Sequence, residues 1–192
     1  MATPEIVARL RAATGPAHAR LETALDLVER VSDPAERRRL VARFLALHEG
    51  AEARLAPWIA GQAGLKPETR MRASLIRADL ALLGGAAETR APPAPGIGSL
   101  GQALGWLYVL EGSTLGGKTI HRALEKRRLD ARGLDFLNPY GEAAGERWRT
   151  FVAELDRLHR TGAADEDAIV AGGVEGFEHA HRVLCGRVMC GA

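Results

Sequence analysis

The sequence has little cysteine. Two of its 192 residues are cysteines, Cys185 and Cys190, and both lie near the C-terminus. They are not spaced as C-x-x-C, and no second cysteine pair exists that could complete a zinc site of that kind. We therefore expect two reduced thiols, the usual state of cysteine in a cytoplasmic protein.

Long apolar runs and a strong charge of either sign are also missing. No run of about 18 consecutive apolar residues occurs, which excludes a membrane-spanning helix. The first six residues lack the basic region and apolar run of a secretory signal. Lysine and arginine number 26 against 24 acidic residues, a net charge of +2. We therefore expect a cytoplasmic protein with no membrane or nucleic-acid partner, although a mildly basic patch for an anionic ligand remains possible.

The composition favours helices. Alanine, leucine, arginine and glutamate dominate, whereas valine and isoleucine are sparse. Apolar residues recur at helical spacing along most of the chain. We predict an all-α fold, a multi-helix bundle forming one domain over residues 1–192. The predicted helices, seven or so, cover residues 4–13, 16–30, 34–59, 67–83, 99–129, 142–160 and 165–188.

Capping residues and prolines set these limits. Asp33, Ser99 and Asp165 are the residue types that begin helices, and we expect each to cap the helix that follows it. Pro16 suits the first turn of a helix, so we predict an interruption at residues 14–16. Pro57 indicates a kink or an end.

The stretch GWLYVLEGSTLGGKTIHRAL, residues 105–124, places three glycines inside a predicted helix. Each interior glycine costs about 1 kcal/mol relative to alanine, so something must offset about 3 kcal/mol. Residues 112–119 also fit the P-loop pattern G-x-x-x-x-G-K-[ST] letter for letter. A P-loop needs a strand before its first glycine and a sheet around it, and no other segment supplies sheet partners. Two other interpretations stand beside the P-loop: glycines that allow close helix packing, and a helix kept thin for a flat ligand, which we favour.

The histidines suggest no multi-ligand metal site. None of the six is paired at a zinc-binding spacing. Thr14, His18 and Glu22 are spaced four residues apart and share one helical face. Because a lone histidine on such a face is usually structural or on the surface, the spacing alone does not assign a ligand role.

Three segments resemble one family. LRAATGPAHARLE (residues 10–22) resembles the proximal-helix motif of haem oxygenases, and LYVLEGSTLGGKTI (107–120) resembles their glycine-rich distal helix. FLNPYGEAAGERWRTFVAELD (136–156) is similar to the corresponding stretch of the bacterial branch associated with bacteriophytochromes. The resemblance implies an all-α fold that holds haem between two helices.

The resemblance also implies site residues. By motif position His18 is the proximal iron ligand. Gly112, Gly116 and Gly117 form the distal face, where missing side chains let the backbone approach the porphyrin. The mammalian-type motif carries an aspartate where this sequence has Ser113. The proton-relay group is therefore open, and we expect water held by Ser113 and backbone carbonyls.

Three further residues are candidates for binding haem. Glu22 is expected to steady the second nitrogen of the histidine, unless it only covers a solvent face. Arg149 and Arg11 are candidate partners of the haem propionates, and either can instead be a solvated surface arginine. Tyr108 and Trp106 are expected to belong to the core.

The implied activity is that of a haem oxygenase. Haem is both cofactor and substrate, and with O2 and electrons from a ferredoxin- or flavodoxin-type donor it yields biliverdin, carbon monoxide and ferrous iron. Biliverdin would then supply a bacteriophytochrome. The alternatives are a haem- or biliverdin-binding protein without turnover, a P-loop phosphotransferase, and a structural helical protein.

Overall fold

The computed structural model describes residues 3–86 and 92–186, which form α-helices and short 3₁₀ turns without a β-strand. The predicted all-α class is confirmed. No helix within these ranges combines the length and the hydropathy needed to cross a bilayer. The α-helices are α1 (Glu5–Leu25), α2 (Leu27–Ser32), α3 (Pro34–Ile59), α4 (Ala73–Leu82), α5 (Leu100–Lys126), α6 (Ala144–Arg160) and α7 (Glu166–Cys185). The 3₁₀ turns are Ala63–Leu65, Pro67–Thr69, Asp135–Leu137 and Gly141–Ala143.

The predicted helix starts at α3, α5 and α7 are confirmed by their caps. The side chains of Asp33, Ser99 and Asp165 each accept a hydrogen bond from the backbone N–H three residues later. The distances are 2.7, 3.2 and 2.8 Å. Each bond satisfies one of the N–H groups that a helix leaves unpaired at its start.

The predicted break at residues 14–16 is wrong. Helix α1 continues through Pro16, because apolar residues on both sides of the proline are buried on one face. The proline removes one helical N–H, and the Thr14 hydroxyl donates to the Leu10 carbonyl at 2.7 Å. The helix ends at Asp26, whose φ of 36° is left-handed, so the predicted helix 16–30 is divided between α1 and α2.

Of two other limits, one agrees with the prediction and one differs from it. Helix α3 ends at Ile59, as predicted, two residues beyond Pro57. The helix predicted for 67–83 begins only at Ala73, because the segment before it forms two 3₁₀ turns. Glu52 of α3 fixes this start, since its Oε1 accepts from the backbone N–H groups of Arg72 and Ala73 at 2.7 and 3.0 Å.

Helix α7 packs between α1 and α5 through glycines. A Cβ on Gly105 of α5 would lie 2.1 Å from the carbonyl oxygen of Ile169 in α7. A Cβ on Gly173 would lie 2.6 Å from the Leu10 side chain of α1. Real Cβ atoms do not approach other atoms so closely, so these helices can pack together only without the side chains. Glycine-mediated packing therefore exists, but at glycines other than those in residues 112–117.

The C-terminal cysteine of α7 is a free thiol. Cys185 is partly buried, and burial raises the pKa of its thiol above the ordinary value. Cys190 and the predicted end of the last helix at residue 188 lie outside the described residues.

Candidate functional site

The glycine-rich segment is helical throughout. Residues 112–119 lie inside α5, and the described chain has no strand before them. Lys118, which would contact phosphates in a P-loop, places its Nζ 2.8 Å from both carboxylate oxygens of Glu142. The P-loop alternative is therefore excluded.

The three glycines of this segment have different surroundings. A Cβ on Gly116 would meet no heavy atom within 4 Å, and one on Gly112 would lie 3.8 Å from Trp148. A Cβ on Gly117 would lie 1.6 Å from the carbonyl oxygen of Leu137. Gly112 and Gly116 thus leave an open face. The expectation that Gly117 belongs to that face is corrected, because the backbone of a 3₁₀ turn already occupies its free side.

His18 is accessible on the surface of α1. Its side chain is 52% exposed, and its Nε2 lies 3.2 Å from Oε1 of Glu22, whose side chain is 70% exposed. The imidazole ring packs against Phe177 of α7, with 5.0 Å between ring centroids. With Glu22 at one nitrogen, the ring can offer its other nitrogen to a metal ion.

His18 and the open glycine face flank the same turn of α7. Phe177 contacts His18, and the preceding residue, Gly176, lies against α5, where an added Cβ would be 3.1 Å from Val109. Val109 precedes Gly112 by three residues, about one helical turn. The structure therefore places the histidine of α1, and the turn of α5 that leads to Gly112, against neighbouring residues of one turn of α7.

Aromatic rings border this region. The rings of Tyr108 and Trp148 are 5.5 Å apart, and those of Trp148 and Phe151 are 5.6 Å apart. Trp106 is buried in the core, and its indole N–H donates to Glu175 at 3.2 Å. Trp148 therefore links the core aromatics to the open face.

Ser113 is exposed beside the open glycines, and its hydroxyl is held by two protein groups. Its Oγ donates to the carbonyl of Leu110 at 2.7 Å and accepts from Nη2 of Arg72 at 3.2 Å. Arg72 also donates to the Leu110 carbonyl. Burial lowers the pKa of Arg72, and the nearby charge of Glu111 opposes that change. Because the hydroxyl proton is committed, Ser113 has one remaining lone pair with which it can accept a hydrogen bond.

A buried ion pair lies behind this face. Arg70 and Glu111 form a salt bridge with side chains 0% and 1% exposed. The hydroxyl of Tyr140 donates to Oε1 of Glu111 at 2.9 Å, and burial together with this carboxylate raises the pKa of Tyr140. These bonds hold α5 to the segments before α4 and α6.

The two predicted propionate partners are surface residues. Arg11 is exposed on α1, two turns before His18. Arg149 is exposed on α6 and directly follows Trp148. Both guanidinium groups are thus accessible to an anionic ligand.

Sequence reasoning missed Arg72, Trp148 and Phe177. Arg72 reaches Ser113 across 41 residues. Phe177 lies at the opposite end of the chain from His18, so no local pattern connects them. An aromatic residue on an amphipathic helix looks like any other core residue before the fold is known.

The chain is similar to known proteins of one family. The sequence model of the family described as Heme oxygenase matches residues 5–185. A haem oxygenase of Xanthomonas campestris pv. campestris is 36% identical over 148 residues, which are 76% of this chain and 86% of that protein. Haem oxygenase PigA of Pseudomonas aeruginosa is 34% identical over 183 residues, covering 82% of this chain and 85% of the relative. The structure of the NO- and CO-bound haem oxygenase of Neisseria meningitidis superposes with a TM-score of 0.76 at 25% identity, covering 95% and 91% of the two chains. The chain therefore belongs to the haem oxygenase family.

Proposed function

We propose that this chain cleaves haem with O2 to biliverdin, carbon monoxide and ferrous iron. The observation that carries the proposal is the combination of an accessible His18 with a face free of side chains at Gly112 and Gly116, where α1 and α5 both contact one turn of α7. The names of the relatives from Xanthomonas campestris and Pseudomonas aeruginosa support the same activity.

The residues of this region fit haem. A flat macrocycle needs a surface without side chains, and Gly116 has open space where a Cβ would lie. Glu22 beside His18 orients the imidazole, which is a common axial ligand of haem iron. When bound, the haem iron supplies the redox centre at which O2 is activated by electrons from a ferredoxin- or flavodoxin-type donor.

Other side chains bind and enclose the macrocycle. Trp148 and Phe177 offer aromatic surface beside Gly112 and His18, which excludes water from the porphyrin. Arg11 and Arg149 are exposed and pair with the propionates by charge-assisted hydrogen bonds.

Ser113 holds a water molecule for proton delivery. Its own proton is bonded to the Leu110 carbonyl, so its free lone pair accepts a hydrogen bond from that water. Arg72 fixes the orientation of the hydroxyl from the buried side. In this proposal protons reach the substrate through water, because serine has no carboxyl group to release them.

The test adds hemin to the purified chain and records the absorbance spectrum. We expect a six-coordinate ferric spectrum in the wild type and in the control His159→Ala, and its loss in His18→Ala. Added imidazole should restore that spectrum to His18→Ala by occupying the empty position. An unchanged His18→Ala spectrum would refute the assignment of the ligand.

Turnover distinguishes the enzyme from a binding protein. With a reductant and O2, the haem complex should yield a green pigment that co-elutes with biliverdin, together with one carbon monoxide per haem. Binding that depends on His18 without either product would instead support the non-catalytic alternative.

The product is proposed to serve a bacteriophytochrome. Support comes from residues 136–156, which resemble the branch associated with these photoreceptors. Haem turnover in the presence of a chromophore-free photoreceptor should produce its photoconvertible spectrum. A photoreceptor that stays colourless during biliverdin production would contradict this role.

A further inference from the structure

Helix α4 begins at an arginine whose side chain is used elsewhere. The residue at the start of a helix normally caps it with a short polar side chain, as at the starts of α3, α5 and α7. Arg72 holds this position in α4, and its guanidinium extends to α5, where it donates to the Leu110 carbonyl and to Oγ of Ser113. Another group therefore has to satisfy the first N–H groups of α4.

Glu52 of α3 supplies this cap from outside the helix. Its Oε1 accepts from the backbone N–H groups of Arg72 and Ala73 at 2.7 and 3.0 Å, and its Oε2 accepts from that of Ala73 at 3.3 Å. The side chain of Glu52 is 13% exposed, so water competes little for its carboxylate. These bonds fix the backbone from which the side chain of Arg72 extends.

His48 limits the motion of the Glu52 carboxylate. Its Nδ1 lies 3.1 Å from Oε1 of Glu52, one turn later on the same helix, and its side chain is 3% exposed. Because this oxygen already accepts two N–H groups, Nδ1 of His48 carries a proton and donates it as a third hydrogen bond. Burial lowers the pKa of His48 to about 4, so the ring is neutral at pH 7 and its single N–H is the one that faces Glu52.

A continuous series of hydrogen bonds thus runs from α3 to α5. The backbone of Arg72 is bonded to Glu52, and its guanidinium, on a side chain 4% exposed, is bonded to Ser113 at 3.2 Å. Because such a bond is already at the long end of the normal range, a shift of the Arg72 backbone by about 1 Å would break it.

We propose that Glu52 is a positioning residue for the hydroxyl of Ser113 and acts on it through Arg72. This explains why an arginine stands at the start of α4: its side chain is needed on α5, and the cap comes from another helix. The part of that hydroxyl in proton delivery rests on the proposed function, whereas the contacts themselves do not.

The first test is a double-mutant cycle on the haem-free chain. Urea denaturation compares Glu52→Ala, Ser113→Ala and the double variant with the wild type. The lost cap and the changed helix propensity cancel in the cycle, which leaves the coupling between the two side chains. The factor by which Ser113→Ala multiplies the unfolding constant should be at least about threefold smaller in the Glu52→Ala background, where the bond to Arg72 is already lost. Additive effects would overturn the proposal and leave Glu52 as a helix cap only.

Glu49 provides the matched control. It lies about one turn before Glu52 on α3 and also binds α4, through an ion pair with Arg77. Glu49→Ala weakens the same pair of helices without contacting Arg72, so its cycle with Ser113→Ala should be additive. Equal coupling in both cycles would indicate general loosening between α3 and α4 and would refute the specific role of Glu52.

Two conservative variants separate the charge of Glu52 from its reach. Glu52→Gln keeps an oxygen that accepts from Arg72, so Ser113→Ala should have its wild-type effect in that background. Glu52→Asp keeps the charge but is one methylene shorter, and it should couple to Ser113 as Glu52→Ala does. This second cycle decides the question if Glu52→Ala does not fold.

The second test follows haem turnover with a reductant and O2. Glu52→Ala should bind hemin as the wild type does but form biliverdin at least about tenfold more slowly, because a water displaced by about 1 Å delivers protons poorly. Glu49→Ala should turn over at the wild-type rate. A wild-type rate in Glu52→Ala would overturn the link from Glu52 to proton delivery. A wild type that forms no biliverdin would refute the proposed haem cleavage, and the haem-free cycle would still decide the role of Glu52.

Discussion

Two adjacent glycines of α5 should respond in opposite ways to an added methyl group. Gly116→Ala places a Cβ in open space, so the change removes only the low helix propensity of glycine. We expect the free energy of unfolding to rise by up to about 1 kcal/mol. Gly117→Ala places a Cβ 1.6 Å from the carbonyl oxygen of Leu137, and the backbone must move. Overpacking of this kind costs about 1–3 kcal/mol or more, which outweighs the gain in propensity.

The assay is urea denaturation of the haem-free chain, followed by circular dichroism, with both variants measured beside the wild type. Because neither substitution changes charge, pH and salt affect the three proteins alike.

A larger side chain at position 116 tests haem binding separately from stability. Gly116→Leu should remain folded but bind hemin at least tenfold more weakly, about 1.4 kcal/mol, since leucine covers the open face. Glu125→Leu, an exposed position later in α5, is the control for added bulk.

Each outcome bears on a different inference. A Gly117→Ala protein as stable as the wild type would refute the close approach of the 3₁₀ turn. A Gly116→Leu protein that binds hemin normally would show that haem does not lie on the open face, and the proposed distal side would be wrong.

Three further predictions concern stability. Burial lowers the pKa of His48 to about 4. Its unfolded value is about 6.5, so the unfolded chain binds more protons between these values, and the stabilisation present above pH 6.5 is lost as pH falls towards 4. Between pH 6 and pH 5, His48 should lower the free energy of unfolding by about 1 kcal/mol. Urea midpoints measured at both pH values should show this loss in the wild type, and the His48 contribution should be absent in His48→Gln. Burial also lowers the pKa of His179 to about 4, so the free energy of unfolding of His48→Gln should still depend on pH to some extent. Glu111→Gln leaves the buried Arg70 unpaired and should lower the free energy of unfolding by about 3–5 kcal/mol, whereas an unchanged value would contradict the buried pair. Asp33→Ala removes the cap of α3 and should cost about 1 kcal/mol, visible as a lower thermal midpoint.

Helix starts were predictable where one side chain caps its own helix. Asp33 and Ser99 bond to N–H groups only three residues away, so the pattern is local. The start of α4 depends instead on Glu52, which lies on α3, 20 residues before Arg72 in the sequence. The continuation of α1 through Pro16 depends on burial along its whole length, which outweighs the local preference of a proline. Such long-range causes leave no local sequence pattern.

The candidate site was predictable only in part, because some of its contacts also join residues that are distant in the sequence. Glycines in a helix call for an explanation, and the sequence alone indicated that one was needed. Which explanation applies depends on what faces each glycine, and Gly117 meets Leu137 only after the chain has folded back. The support that Arg72 gives Ser113 likewise depends on a contact between α5 and the segment before α4.

The surroundings of His18 follow from a change along one face of α7. Gly173 lets Leu10 of α1 pack directly on the α7 backbone. Four residues later on the same face stands Phe177, and there α1 meets an aromatic ring through His18. Close packing against the bare backbone thus gives way, within one turn, to a contact between two rings. His18 is half exposed at this point. Exchanging the two residue types along α7 should therefore change the ring contact and the exposure of His18, on which the proposed haem site depends, and not only weaken the core.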